Sequence, residues 1–233
     1  MKLSERLRTI CSFVPEGSAA VDVGCDHAYV PIELVKEGTC PCAVASDIRT
    51  GPLQSAAANI AREGLSECIR TVVCDGVPAD LPELISSAGG TGLPLTLITA
   101  GMGGLMMLQI LDNADTDLFS YYVASPQKDA RLFRKGLAAR RFSIIRETML
   151  EENGKYYPVI LAERKNEGIR MLSYDEALLG PCLLKEKSPV FLRYLERRRR
   201  ILKEILQSVP DSREERRSEA RKELEAINRA LGN

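Results

Sequence analysis

Four clusters of acidic and glycine residues recur through the first half of the chain: Gly24-Cys25-Asp26-His27, then Asp47, then Asp75-Gly76, then Ala100-Gly101-Met102-Gly103-Gly104. A carboxylate can accept two hydrogen bonds from vicinal hydroxyls, and glycine lets backbone approach a ligand closely. Asp47 follows Gly24 by 23 residues, the separation that suits a ribose acceptor at the end of a second strand. Asp75-Gly76 suits the edge of an adenine. The set could therefore serve a dinucleotide such as NAD, or S-adenosylmethionine.

The first loop separates the two ligands. It lacks G-x-G-x-x-G and carries Asp26 at the mouth of the following helix. A pyrophosphate needs bare N–H groups and positive potential there. S-adenosylmethionine is cationic at its sulfonium and its ammonium, so acidic residues on that loop favour it. Each residue also has a plainer use. Asp26 and Asp47 could cap the next turn, and His27 could pack in a first helical turn. Asp75-Gly76 could be a simple turn, and Gly103-Gly104 a strand-to-helix bend.

Regular elements must hold these residues. Short apolar runs at 19–23, 43–46, 69–74, 93–99 and 119–124 read as buried strands, with helices expected at 27–37, 52–63, 81–87, from 105 and at 129–139. A further helix is expected over 3–13. Strand and helix alternating at this spacing imply an α/β fold with a parallel sheet covered on both faces. Two more strands, 142–150 and 156–162, are joined by a turn at Glu152-Asn153-Gly154-Lys155 and add an antiparallel edge.

Composition changes near Gly180-Pro181. Phe191, Tyr194, Leu195, Arg198, Ile201, Leu202, Ile205 and Val209 fall at helical steps. Pro210-Asp211 interrupts them, and Asp211 or Ser212 can cap a second helix bearing Ala220, Leu224, Ile227 and Leu231. An antiparallel, coiled-coil-like hairpin follows from this pattern.

The 233 residues carry 32 Lys/Arg and 32 Asp/Glu, yet the charge is unevenly distributed. Residues 185–233 hold 14 basic against 9 acidic residues, leaving 18 against 23 in residues 1–184. A basic tail on an acidic body suits a polyanion. Seven scattered cysteines and a hydrophobic fraction of 45% point to a reducing compartment and an ordinary core, with buried thiols rather than a disulfide framework. Cys40-Pro41-Cys42 has no second pair at ligand spacing and His27 is the one histidine, so no metal is expected. The first residues do not read as a signal peptide, and no membrane span is expected.

Val21-Asp22-Val23-Gly24-Cys25-Asp26-His27-Ala28-Tyr29-Val30-Pro31 resembles D-x-G-[ST]-D-H-A-[YL]-[LIV]-P of the TrmK family of bacterial tRNA (adenine-N1)-methyltransferases acting on adenine 22. Gly51-Pro52 with Ala56, Asp75-Gly76, the Ala100–Gly104 run and Glu151-Glu152-Asn153-Gly154-Lys155-Tyr156-Tyr157 resemble its other motifs. Cys25 replaces the commoner Ser or Thr, and Ser125-Pro126-Gln127 stands where some members have Q-P-N.

The resemblance implies a class I, Rossmann-like methyltransferase over 1–165 with a helical tail over 166–233, acting in the cytoplasm. It implies S-adenosylmethionine as donor, held by Asp22, Gly24, Asp26, His27, Asp47, Ile48, Asp75, Gly76, Ala100, Gly101, Met102 and Gly103. It implies tRNA as partner, with Arg197, Arg198, Arg200, Arg213 and Arg217 as phosphate contacts. Asp26, His27 and Tyr29 are the expected catalytic group, with Asp26 either beside the base or on the methionine ammonium. A small-molecule methyltransferase and an inactive RNA-binding adaptor are the competing readings; a dehydrogenase is more distant.

Overall fold

The computed structural model describes residues 3–208 and 213–232. Its described residues form one sheet from β1 (Ala19–Val23), β2 (Ala43–Asp47), β3 (Ile69–Val73), β4 (Leu95–Ala100), β5 (Phe119–Ser125), β6 (Phe142–Glu152) and β7 (Lys155–Arg164). The order is β3-β2-β1-β4-β5-β7-β6. The first five strands are parallel, and β7 joins β5 and β6 antiparallel. β1 and β2 have no exposed residue, as strands covered on both faces require.

Helices α1 (Glu5–Cys11), α2 (Tyr29–Lys36) and α3 (Thr50–Arg62) cover one face through Ile10, Ile32, Leu34, Leu53 and Ile60. Helices α4 (Leu81–Ser87), α5 (Gly104–Asp112) and α6 (Ala130–Ala139) cover the other through Leu81, Ile85, Met107, Leu111, Phe133 and Leu137. The chain runs outward through β2 and β3, then returns to β4 on the other side of β1. That reversal opens a crevice at the carboxyl ends of β1 and β4. Val23 lies opposite Thr99, so the loops that begin at Gly24 and Gly101 leave the sheet side by side.

Beyond β7, α7 (Tyr174–Leu179) and α8 (Pro181–Glu186) lead to α9 (Pro189–Ser208) and α10 (Glu214–Leu231). The first two were not expected from the sequence. The Ser173-x-x-Glu176 capping box that starts α7 and Pro181 in the first turn of α8 are their local signals. α9 and α10 run past one another in opposite directions: Arg198 meets Glu223 at the two helix centres, and Arg217, early in α10, donates to the carbonyl of Leu206, late in α9. This is the antiparallel hairpin expected. Phe191, Leu195, Leu202, Ala226 and Ile227 fill its seam, together with Met149 of β6. Burying each large apolar side chain there stabilises the tail by about 2 kcal/mol. The expected break at Pro210-Asp211, the Val209 seam position and the Asp211 or Ser212 cap lie outside the described residues. Among the described residues no helix is long and apolar enough to cross a membrane.

Candidate active site

The loop after β1 holds three left-handed residues in five: Gly24 at φ +77°, Asp26 at +51° and Ala28 at +57°. At Gly24 the positive φ favours glycine, and a Cβ there would stand 3.0 Å from Met102 Cε, the end of a flexible side chain. Ala28 has no such freedom, and its backbone costs about 1–3 kcal/mol. Neighbouring bonds hold it: the Gly24 and Cys25 amides donate to the Ser46 carbonyl at 2.8 and 3.0 Å, and Asn59 Nδ2 donates to the His27 carbonyl at 3.0 Å. This turn delays α2 to Tyr29, two residues after the expected start.

Asp26 makes no capping bond to α2. Its side chain is 65% exposed, and Oδ1 lies 3.7 Å from His27 Nε2. The His27 ring stacks on Tyr29 at 5.3 Å. Asp26, His27 and Tyr29 therefore form one patch at the crevice mouth. Cys25, beside them, is a buried thiol, and burial pushes its pKa up.

Deeper in the crevice, Asp22 is 6% exposed and Asp47 is 5% exposed. Burial, and after it the charge of Asp47, pushes the Asp22 carboxyl up to about 7. Among the described residues nothing hydrogen-bonds to the Asp22 carboxyl. Asp47 Oδ1 accepts the Arg49 amide at 2.9 Å, and its other oxygen is left for a ligand. Asp47 thus does cap the next turn, with one oxygen only. Ile48 beside it is 63% exposed, an apolar side chain at the rim of a polar crevice. Ser46 Oγ donates to the Gly76 carbonyl at 2.9 Å, and the Cys74 amide to the Asp47 carbonyl at 3.2 Å. These bonds set Asp75 and Gly76 next to Asp47. Among the described residues the two buried carboxylates have one nearby cation between them, the largely exposed Arg49, whose Nε lies 3.6 Å from Asp47 Oδ1. They fit a positively charged ligand with ribose hydroxyls and oppose a pyrophosphate.

On the opposite wall, the Gln127 amide donates to the Met102 carbonyl at 3.0 Å, and the Gly104 amide to the Lys128 carbonyl at 2.9 Å. A Cβ on Gly103 would stand 2.7 Å from Lys128 Cε, and one on Gly104 2.8 Å from the Asp129 carbonyl oxygen. The Lys128 side chain can move aside and backbone cannot, so Gly104 is the glycine needed to admit the 125–129 loop, beside Gly103, expected at the donor. Gln127 is exposed, and Ser125 Oγ is buried without a hydrogen bond. The Met102 contact with Gly24 closes the two walls on one another.

The tail arginines separate. Arg198 makes two bonds to Glu223, at 2.6 and 2.8 Å, and Arg217 Nη1 donates to the Leu206 carbonyl. Both hold the hairpin together. Arg197 Nη1 donates to the Gly154 carbonyl of the β6–β7 turn at 2.8 Å, while Arg200 and Arg213 are exposed. Arg193, Arg197, Arg200 and Lys203 line one groove of about 930 Å³, interspersed with Glu151, Glu196 and Glu204. Arg193 and Lys203 escaped the sequence reading. Their spacing of four, three and three residues from Arg197 and Arg200 marks one helix face. No described cluster of three or more His, Cys, Asp or Glu side chains is placed to hold a metal.

A family model described as tRNA (adenine(22)-N(1))-methyltransferase, TrmK, matches residues 20–229. The chain is 34% identical over 201 residues to the tRNA (adenine(22)-N(1))-methyltransferase of Bacillus subtilis (strain 168), covering 83% of this chain and 79% of the relative. The crystal structure of the B. subtilis m1A22 tRNA methyltransferase TrmK matches at a TM-score of 0.78 and 29% identity, over 99% of each chain. A Streptococcus pneumoniae protein solved in complex with S-adenosyl-L-methionine matches at a TM-score of 0.83 and 31% identity, over 99% of this chain and 100% of that one. A methyltransferase-type sheet with a crevice shaped for a cationic nucleoside, and a match that runs on through the helical tail, have one reading: the chain belongs to the TrmK family of tRNA (adenine(22)-N(1))-methyltransferases.

Proposed function

We propose that this chain methylates N1 of adenine 22 in the D-arm of tRNA, with S-adenosylmethionine as the donor. The observation that carries the reading is the Asp22 carboxyl, buried at the switch point of the sheet without a hydrogen bond and beside a second buried carboxylate. The donor complex of the S. pneumoniae relative supports it. When bound, S-adenosylmethionine supplies an electrophilic methyl group on a sulfonium.

The chain's own residues do the rest. Asp47 receives the ribose hydroxyls, Ile48 packs beside the adenine of the donor, and Asp75-Gly76 lie along its edge. Asp22 and the loop from Gly24 to His27 face the cationic end, and Ala100 to Gly103 form the far wall. Adenine N1 carries a lone pair at neutral pH, so no strong base is required. Positioning, and negative potential as the base becomes cationic, are what the protein contributes. Asp26 takes that role in this reading, with His27 and Tyr29 orienting the base.

N1 lies on the pairing edge, and exposing it costs a few kcal/mol. Phosphate contacts along Arg193, Arg197, Arg200 and Lys203 offset that cost, with Arg213 further along the hairpin. Residues 1–165 serve as the donor-binding body and 166–233 as the tRNA-holding tail, in the cytoplasm. The test is transfer of labelled methyl to unmodified tRNA, followed by mapping of the product. A single N1-methyladenosine at position 22 is expected. Donor binding with no label on any RNA would sink the proposal.

A further inference from the structure

Two adjoining cavities, of about 340 and 400 Å³, lie between the loop after β5 and the tail, and Gln127, Tyr156 and Tyr194 line both. We propose that Tyr156, Tyr194 and Arg197 form a second nucleotide subsite, which takes the unpaired base adjacent to the methyl-accepting adenine. The inference rests on the tRNA reading above.

Its position relative to the crevice comes from Gln127. The Gln127 amide is bonded to the Met102 carbonyl, and Met102 lies over Gly24. Gln127 therefore adjoins the Met102 wall of the crevice and also lines the aromatic cavities. A single strand drawn over Gln127 would place consecutive bases in the crevice and in these cavities.

The lining has the chemistry of a base platform. The Tyr156 ring meets Tyr194 edge to face at 5.5 Å, and the Arg197 guanidinium stands 5.8 Å from the Tyr156 centroid. Unstacked RNA bases are held on such tyrosine rings and arginine planes. Tyr157, the next ring, carries Arg6 at 5.0 Å in the same way, but it is Tyr156 that lines both cavities. The Tyr194 hydroxyl has no hydrogen-bond partner among the described residues, although its ring is packed against Phe191 and Tyr156. Burial pushes that phenol up, so it remains a proton donor. In the larger cavity the charged lining is Lys155 and Arg197, with no carboxylate, which suits a phosphate beside the base.

The chain has no tryptophan, so Tyr156→Trp adds a single reporter. Its emission should be quenched by unmodified tRNA. Tyr156→Leu keeps the apolar bulk and loses the ring face; kcat/KM for tRNA should fall about 10- to 100-fold. Donor affinity should not change, and Tyr156→Phe should restore most of the loss. A tRNA abasic next to the acceptor adenine should be a poor substrate for the wild-type chain, and no poorer for Tyr156→Leu. Tyr194→Phe should lower kcat/KM about 5-fold. Wild-type turnover by Tyr156→Leu, an equal loss of donor affinity, or unquenched emission at saturating tRNA would each overturn the subsite. If the wild-type chain methylated no tRNA, the functional reading would fall first and the subsite with it.

Discussion

Arg134 Nε lies 2.7 Å from Glu147 Oε1, with the two side chains 2% and 0% exposed. This buried pair joins α6 to β6 and extends into the tail. Arg134 Nη1 donates to the Ala177 and Leu178 carbonyls at 3.2 and 3.1 Å, and Glu147 Oε2 accepts the Cys182 amide at 2.9 Å. The end of α7 and the start of α8 are thereby fixed to the sheet, and Arg229 to Asp175 carries the connection to α10 at 2.8 Å. Arg134→Met strands a buried carboxylate and should cost about 3–5 kcal/mol in urea unfolding. Adding Glu147→Leu should recover part of that loss. In the single variant KM for tRNA should rise while donor affinity holds.

Asp22 makes ligand-free stability depend on pH. Its folded value of about 7 lies above the unfolded 3.8, so folding takes up a proton between those limits. The Asp22 contribution is therefore fully favourable below about pH 4 and is lost as pH rises towards 7, by on the order of 4 kcal/mol. Asp22→Asn should be more stable than wild type at pH 8, with no advantage at pH 4. It should also bind S-adenosylmethionine more weakly. Equal thermal midpoints for the two proteins at both pH values would contradict this.

Asp47→Ala should weaken the donor about 10- to 100-fold, through loss of a charged acceptor for two hydroxyls. Calorimetric titration measures this directly. The 2′-deoxy analogue of the donor should lose less against the variant than against wild type.

Asp26→Asn should cut kcat for methyl transfer about 10- to 1000-fold while tRNA affinity changes less than 3-fold. Single-turnover rates and filter binding separate the two effects. Unchanged turnover would remove Asp26 from the chemistry.

Two neighbouring arginines should behave differently. Arg200→Ala should lower the salt dependence of tRNA binding by about one phosphate contact and leave folding intact. Arg198→Ala breaks its half-buried bond to Glu223 and should lower the stability of the hairpin as well.

Much of the architecture was legible in local pattern. β1 and α4 have the bounds expected, because continuous apolar runs and a short amphipathic turn are read from neighbouring residues. The start of α2 was not, since nothing local says that Asp26 and Ala28 turn left-handed. Contacts from Ser46 and Asn59, roughly twenty to thirty residues away, hold them there. The short helices α7 and α8 were missed because six residues leave too little periodicity, although the Ser173 capping box was present.

The sequence alone determined the fold class, the acidic and glycine-bearing strand ends and the basic tail, all carried by residue type and short-range spacing. Tertiary structure decided which charges are spent. Arg134 reads as a surface residue until α6 buries it on Glu147, and Arg198 reads like Arg200 until Glu223 meets it. Burial and pairing come from segments 13 to 44 residues apart in these cases. Charge state and availability to a ligand depend on those contacts, and no local pattern contains them.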